Sequence, residues 1–212
     1  MLAAAPAGQA PATLAGSLAL RYDSGVAPSS RQDARSLSPP AGAPLDTSLA
    51  SRPRTGGPAI RRAGPAEAPL LSELALRSKA YWGYDDAFLD ACRRGELGVS
   101  PAFVAAHPVY VLEHAGRVVG FYGLQGAPPD ADLAYLFVEP DEVRRGHGRR
   151  LWAHAVATAC ELGFRRLLIE SDPNAEPFYR EMGATRIGEV PSSVRPGRML
   201  PLLALPLAAV GT

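Results

Sequence analysis

The chain has 212 residues, 47% of them hydrophobic and 20% charged, enough for one ordinary domain with a real core and some extra length. No run approaches the ~20 apolar residues that a membrane-spanning helix needs, and a formal net charge of +1 gives no reason to expect a polyanionic partner. Two cysteines, Cys92 and Cys160, are too few for a disulfide-stapled scaffold. His107, His114, His147 and His154 form no H-x-x-x-H or C-x-x-C arrangement, so no metal is expected.

Residues 1–57 are rich in Ala, Pro, Ser and Gly, with Tyr22 as their only aromatic and no sustained apolar period. Such a segment cannot bury enough surface to offset the entropy of ordering, and a disordered tail is expected. No basic n-region precedes a long apolar run, so a cytoplasmic rather than secreted product is expected, with an organelle transit peptide, a linker or a start placed too far upstream left open. A folded domain is expected over residues 58–207.

Ala59 to Arg62 reads as a short strand. Pro65-Ala66-Glu67 reads as a helix start, with Leu70, Leu71 and Leu74 as the apolar side and Gly83 as the break. Asp85 is a good N-cap for a second helix carrying Phe88, Leu89 and Cys92. Val109 to His114 and Arg117 to Gln125 are strands joined by the Ala115-Gly116 hairpin signal, and Asp132 to Val138 is a third. A glycine-containing loop then leads into a long helix with Leu151, Ala155, Ala159 and Leu162 on one side, closed by Gly163. Arg165 to Glu170 is a strand, Glu176 to Met182 a short helix ended by Gly183, and Ala184 to Val190 and Arg198 to Leu205 are the last strands. This order predicts a mixed α/β domain around one central sheet.

The stretch Val143-Arg144-Arg145-Gly146-His147-Gly148-Arg149-Arg150 lies between a strand and a long helix. Free backbone N–H groups and the positive end of the helix dipole make such a place a phosphate cradle. A Walker A loop would need a lysine and a Ser/Thr after its second glycine, and a dinucleotide fingerprint would need a glycine where Leu151 stands, so both nucleotide readings fail. Arg144, Arg145, Arg149 and Arg150 are either partners for phosphate or a solvated basic face.

The loop resembles the acyl-coenzyme-A signature [QR]-x-x-G-x-[GA] of the Gcn5-related N-acetyltransferase (GNAT) superfamily. Both glycines match and Val143 departs from the leading Gln/Arg. A second segment, Asp172-Pro173-Asn174 through Phe178-Tyr179 to Gly183-Ala184, is similar to the same family's Asn…Phe-Tyr…Gly-Phe element, Ala184 standing in the aromatic position. The resemblance implies a central mixed, mostly antiparallel sheet flanked by helices. It also implies acetyl-CoA as cosubstrate, with transfer of its acetyl group to an amine by direct attack in a ternary complex and no metal.

On the same resemblance, the cofactor-binding residues are Phe137, Val138, Val143, Arg144, Arg145, Gly146, His147, Gly148, Arg149, Asn174 and Phe178. The backbone of Phe137 and Val138 would meet the pantetheine amides, Asn174 would contact the arm, and Tyr179 would protonate the departing thiolate. Asp132 and Glu170 are the candidate bases. Each residue has a plainer reading: Tyr179 as core packing, Asn174 as a helix cap, His147 as loop packing, Asp132 as a turn residue. The acceptor would be a small-molecule or protein amine, with neither nucleic acid nor membrane as partner and a homodimer open as an assembly. The alternative function is a non-catalytic relative that binds acyl-CoA or a metabolite. Tyr81, Trp82, Tyr84 and Phe88 would sit on the acceptor side, as pocket lining or as helix packing.

Overall fold

A computed structural model describes residues 57–95 and 97–208. Apart from Gly57, the expected tail lies outside the described residues. Seven strands form one sheet: β1 (Ala59–Arg62), β2 (Val109–His114), β3 (Arg117–Ala127), β4 (Asp130–Val138), β5 (Arg166–Glu170), β6 (Thr185–Pro191) and β7 (Met199–Pro206). Their order is β1-β2-β3-β4-β5-β7-β6, and all neighbours are antiparallel except β4 and β5. The helices are α1 (Ala68–Ala80), α2 (Asp86–Arg94), α3 (Pro101–Ala106), α4 (His147–Glu161) and α5 (Glu176–Glu181), with 3-10 turns at Pro65–Glu67 and Pro140–Glu142. The expected mixed α/β architecture is the one observed.

Local chemistry explains most boundaries. The Asp85 carboxylate accepts the Phe88 N–H at 2.7 Å and so caps α2. Ala115 and Gly116, at φ 50° and 80°, make the tight reversal between β2 and β3. α3 was not anticipated from the sequence, although Ser100-Pro101 supplies a cap followed by proline. The Ser100 hydroxyl accepts the Phe103 N–H at 3.0 Å. Leu162, assigned to the apolar side of the long helix, is instead 47% exposed. α4 ends at Glu161, so Leu162 no longer follows the helical period, and the buried face is carried by Leu151, Trp152, Ala155, Thr158 and Ala159.

The sheet separates two apolar layers. Leu112, Val119, Tyr122, Leu133, Leu167, Ile169 and Leu203 pack with Leu151, Trp152, Ala155 and Tyr179 on the side of α4 and α5. Val109, Val111 and Phe121 pack with Leu71, Leu74, Phe88 and Val104 on the side of α1 to α3. The alternation of a strand sends successive side chains to opposite layers, so Tyr135 and Phe137 join the second layer while Leu136 and Val138 join the first.

Candidate active site

β4 and β5 pair only at Asp130↔Arg166, Ala131↔Leu167 and Asp132↔Leu168. Beyond that point β4 stays paired with β3 as far as Val138, and β5 stays paired with β7 as far as Glu170. The two parallel strands therefore part, and from Leu133 onward the β5-facing edge of β4 borders a slot.

The hydrogen-bond phase decides which backbone groups face it. Glu139 donates its N–H to Val119 at 2.9 Å, which makes 119 and 139 a hydrogen-bonded pair. Antiparallel pairs alternate, so the N–H and C=O of Phe137 are turned toward β3 and those of Leu136 and Val138 toward the slot. Val138 thus turns its backbone groups to the slot, whereas those of Phe137 belong to the ladder with β3.

At the end of β4 the chain makes the 3-10 turn, then Val143 (φ −64°), Arg144 at φ 66°, and Gly146 at φ 84° as the N-cap of α4. Left-handed backbone at a non-glycine residue costs roughly 1–2 kcal/mol, so the loop is held in its shape by surrounding contacts. Among the described residues, no backbone acceptor meets the amides of Gly146, His147, Gly148 and Arg149; the first bond back from the helix is Arg150 N–H to Gly146 C=O at 3.1 Å. Successive unpaired amides in such a turn form an anion-binding concavity at the positive end of α4.

The contacts behind the loop come from Glu142. Its buried carboxylate accepts Arg117 Nη2 at 2.9 Å and faces His147 Nε2 at 3.1 Å, with Arg145 Nη1 at 3.4 Å. Burial works against ionisation here, but Arg117, Arg145 and His147 outweigh it and hold the carboxyl below its ordinary range. His147 is 5% exposed and turned to Glu142, so its ring anchors the loop from behind.

The four loop arginines differ. Arg149 pairs with Glu181 of α5, and Arg150 donates to the Pro58 carbonyl at 2.6 Å. The Arg144 side chain makes no ion pair or hydrogen bond among the described residues and is exposed. The two glycines also differ. A Cβ on Gly146 would meet open space, whereas one on Gly148 would lie 3.6 Å from the Phe178 ring. Phe178 therefore lies against the first turn of α4 at Gly148, where a methyl group would make ordinary contact and a larger side chain would press on the ring.

Tyr179, on α5, is 7% exposed and packs against Trp152 at a ring distance of 5.5 Å. Its hydroxyl has no hydrogen-bond partner among the described residues. Burial pushes the phenol above its ordinary value, and the nearby Asp172 carboxylate adds to this. The group is therefore a protonated donor at neutral pH with its hydrogen bond unspent.

Asn174 donates its backbone N–H to Asp172 at 2.9 Å and its side-chain amide to the Tyr84 hydroxyl at 3.2 Å. Asp132 and Glu170 share the sheet face opposite Tyr179, because Ala131, Leu133, Leu167 and Ile169 all point into the α4 layer. Asp132 lies on the exposed side of β4, yet enough protein surrounds its carboxyl to push it up, against a hydrogen bond from Gln125, with Asp130 adding to the rise.

One cluster was not read from the sequence. At the exit of β5, Asp172 meets Lys79 Nζ at 2.7 Å, the Tyr84 hydroxyl at 2.9 Å and Arg198 Nη2 at 3.2 Å. Arg198 also donates to the Tyr84 hydroxyl at 2.7 Å. The cluster ties α1 and the α1–α2 turn to the segment before β7. Burial alone would raise the Asp172 carboxyl, but Lys79, then Asn174 and Tyr84, bring it below its ordinary value. Tyr84 was visible only as one of four aromatics, and nothing in its local sequence marks its hydroxyl as a partner of a residue 88 positions away.

Comparison with known proteins follows the same lines. Residues 105–183 match the family model described as an acetyltransferase (GNAT) domain, while no curated protein matches the chain. Among solved structures, a GCN5-related N-acetyltransferase from Rhodopseudomonas palustris is 23% identical, with a TM-score of 0.61 over 72% of this chain and 97% of that one. The PaiA N-acetyltransferase of Thermoplasma acidophilum, solved with coenzyme A, is 14% identical, with a TM-score of 0.61 over 71% of this chain and 99% of its own. The YncA protein of Salmonella typhimurium, a putative acetyltransferase solved with acetyl-CoA, is 18% identical, with a TM-score of 0.52 over 74% and 98%. Among the described residues no helix is long and apolar enough to cross a membrane.

Proposed function

From a chain whose residues 105–183 match the acetyltransferase (GNAT) domain model, we propose an enzyme that transfers the acetyl group of acetyl-CoA to an amine. The observation that carries this reading is the slot between β4 and β5, with the unpaired amides of Gly146 to Arg149 at the far end of β4. A pantetheine arm is a peptide-like strand, and the free groups of Leu136 and Val138 suit its amides as an added strand suits a sheet edge. The diphosphate then meets the loop amides, with Arg144, unpaired among the described residues, as a cation beside them. Solved neighbours that hold coenzyme A or acetyl-CoA support the choice of cosubstrate.

In this reading the amine nitrogen attacks the thioester carbonyl carbon, the C–S bond breaks, and the amine gives up a proton. Asp132 or Glu170 accepts that proton, directly or through water, and the raised value of Asp132 suits it to the task. Tyr179 donates to the thiolate as it leaves. Most of the rate gain comes from holding amine and thioester together. The acceptor is a small-molecule or protein amine approaching from the side of α1, α2 and the β6–β7 connection.

The test is calorimetry and thermal shift with coenzyme A, followed by an amine panel read by release of free thiol. Stoichiometric binding and a raised Tm are expected, because a ligand that binds only the folded state stabilises it by mass action. Gly148→Leu, which would press on Phe178, is expected to weaken binding at least ~10-fold, close to 1.4 kcal/mol. No coenzyme A effect at millimolar concentration would end this reading; binding without turnover on any amine would favour the non-catalytic alternative.

We also propose that residues 1–57 form a tail dispensable for this chemistry. A chain beginning at Pro58 is expected to stay soluble and to bind coenzyme A as the full chain does. Insoluble expression rescued by restoring the tail would count against it.

A further inference from the structure

The histidines that showed no metal pattern in the sequence come together in space. His114 at the end of β2, Glu142 in the 3-10 turn and His147 at the start of α4 each direct one donor atom into a common point, all three within 4.8 Å of one another. Glu142 Oε2 lies 3.1 Å from His147 Nε2 and 3.7 Å from His114 Nδ1. His114 Nδ1 is buried and has no hydrogen-bond partner among the described residues. The other two histidines are occupied elsewhere, His154 Nδ1 with the Tyr122 hydroxyl at 2.7 Å and His107 against the Phe103 ring.

We propose that His114 Nδ1, Glu142 Oε2 and His147 Nε2 form a binding site for a divalent transition-metal ion of the zinc class, directly behind the loop that precedes α4. Two imidazoles and one carboxylate are the donor set of many three-ligand zinc sites, in which water takes the fourth position. With metal–ligand bonds of 2.0–2.2 Å, a tetrahedral site sets its donors roughly 3.3–3.6 Å apart. The two Glu142 separations of 3.1 and 3.7 Å lie close to that spacing. All three donors lie within 4.8 Å of one another, so side-chain movements that draw the histidines together admit an ion.

The surroundings suit this use. The other carboxylate oxygen, Oε1, is held by Arg117, the outer hydrogen bond that orients a ligating carboxylate. Arg145, 3.4 Å from Oε2, opposes a cation, but its side chain is 60% exposed and has room to leave. His114, whose side chain is 31% exposed although its Nδ1 is buried, gives an entry path. A bound ion would join the end of β2, the 3-10 turn and the first turn of α4 through three bonds, where a single His–Glu contact now joins the last two.

The experiment is titration of the full chain, first treated with a chelator, with cobalt(II) chloride, followed by absorption and thermal shift. A single cobalt ion per chain is expected, with the visible bands of a four-coordinate ion, a raised Tm and displacement by zinc(II). His114→Ala should lower cobalt affinity at least about tenfold, the scale seen even for losses around a metal's ligands, and leave the Tm of the metal-free chain unchanged. His114→Gln, which keeps the side chain's bulk, should give the same loss and guards against disturbance of the β2–β3 turn. Absence of stoichiometric cobalt or zinc binding would overturn the proposal, and so would binding that both variants retain. Because the readout is metal binding alone, failure here leaves the coenzyme A reading standing, and the reverse holds too.

Discussion

Replacing Tyr179 with phenylalanine is expected to lower turnover about 10²-fold, the lower end of what a positioned general acid contributes, while coenzyme A affinity changes little. The substitution removes one hydroxyl from a ring whose packing against Trp152 remains. That hydroxyl has no partner among the described residues to lose, so the fold should not be destabilised by an orphaned group. A sulfur leaving as thiolate gains most from the phenol at the transition state, so the loss should fall on kcat more than on KM for acetyl-CoA. Burial and Asp172 hold the phenol above its ordinary value, so the donor form persists across the neutral range and no limb of the pH profile near pH 7 should belong to it. Steady-state kinetics under conditions where chemistry limits the rate check this, and unchanged kcat would reduce Tyr179 to a packing residue.

Asp172→Ala is expected to cost roughly 3 kcal/mol of stability, at the lower end for breaking a buried ion pair by removing one partner. The side chains of Lys79 and Arg198 are only 13% and 15% exposed, so two cations would be left without their common carboxylate. The Tyr84 hydroxyl would lose its acceptor, and α1 would lose one of its polar ties to the sheet, keeping the Arg77–Glu139 pair. The sign of the acid response follows from the direction of the shift. The folded-state carboxyl is held below its ordinary value, so its contribution is fully present above the unfolded value of about 3.9 and is lost as pH falls through the depressed folded value. Urea unfolding of wild type and variant at pH 7 and pH 3 measures both effects. The gap between them should narrow at the lower pH, and a gap below about 1 kcal/mol at pH 7 would mean that solvent already screens the cluster.

The sequence by itself determined the elements and the loop. Periodicity, caps and turn residues act over a few neighbours, so β1, β2, the Asp85 cap, the Ala115-Gly116 reversal and the Gly183 stop were legible locally. The glycine pair between a strand and a long helix marked a candidate anion site because the free amides of a helix N-terminus follow from the helix itself. α3 was missed although Ser100-Pro101 carried its signal, since six residues show too little period to register. Leu162 was misplaced because periodicity does not say where a helix ends.

Only the tertiary structure decided the rest. Whether Phe137 or Leu136 turns its polar backbone groups to the slot depends on the phase of pairing with β3, which the β4 sequence does not contain. Which arginine stays free depends on Glu181 and Pro58, each on another element. Asp172 meets Lys79, Tyr84 and Arg198, and His114 meets Glu142 and His147, only because strand order and helix packing bring distant segments together. Charge and ligand sets read pairwise distances in space, and spacing along the chain reports those distances only within a single helix, strand or turn.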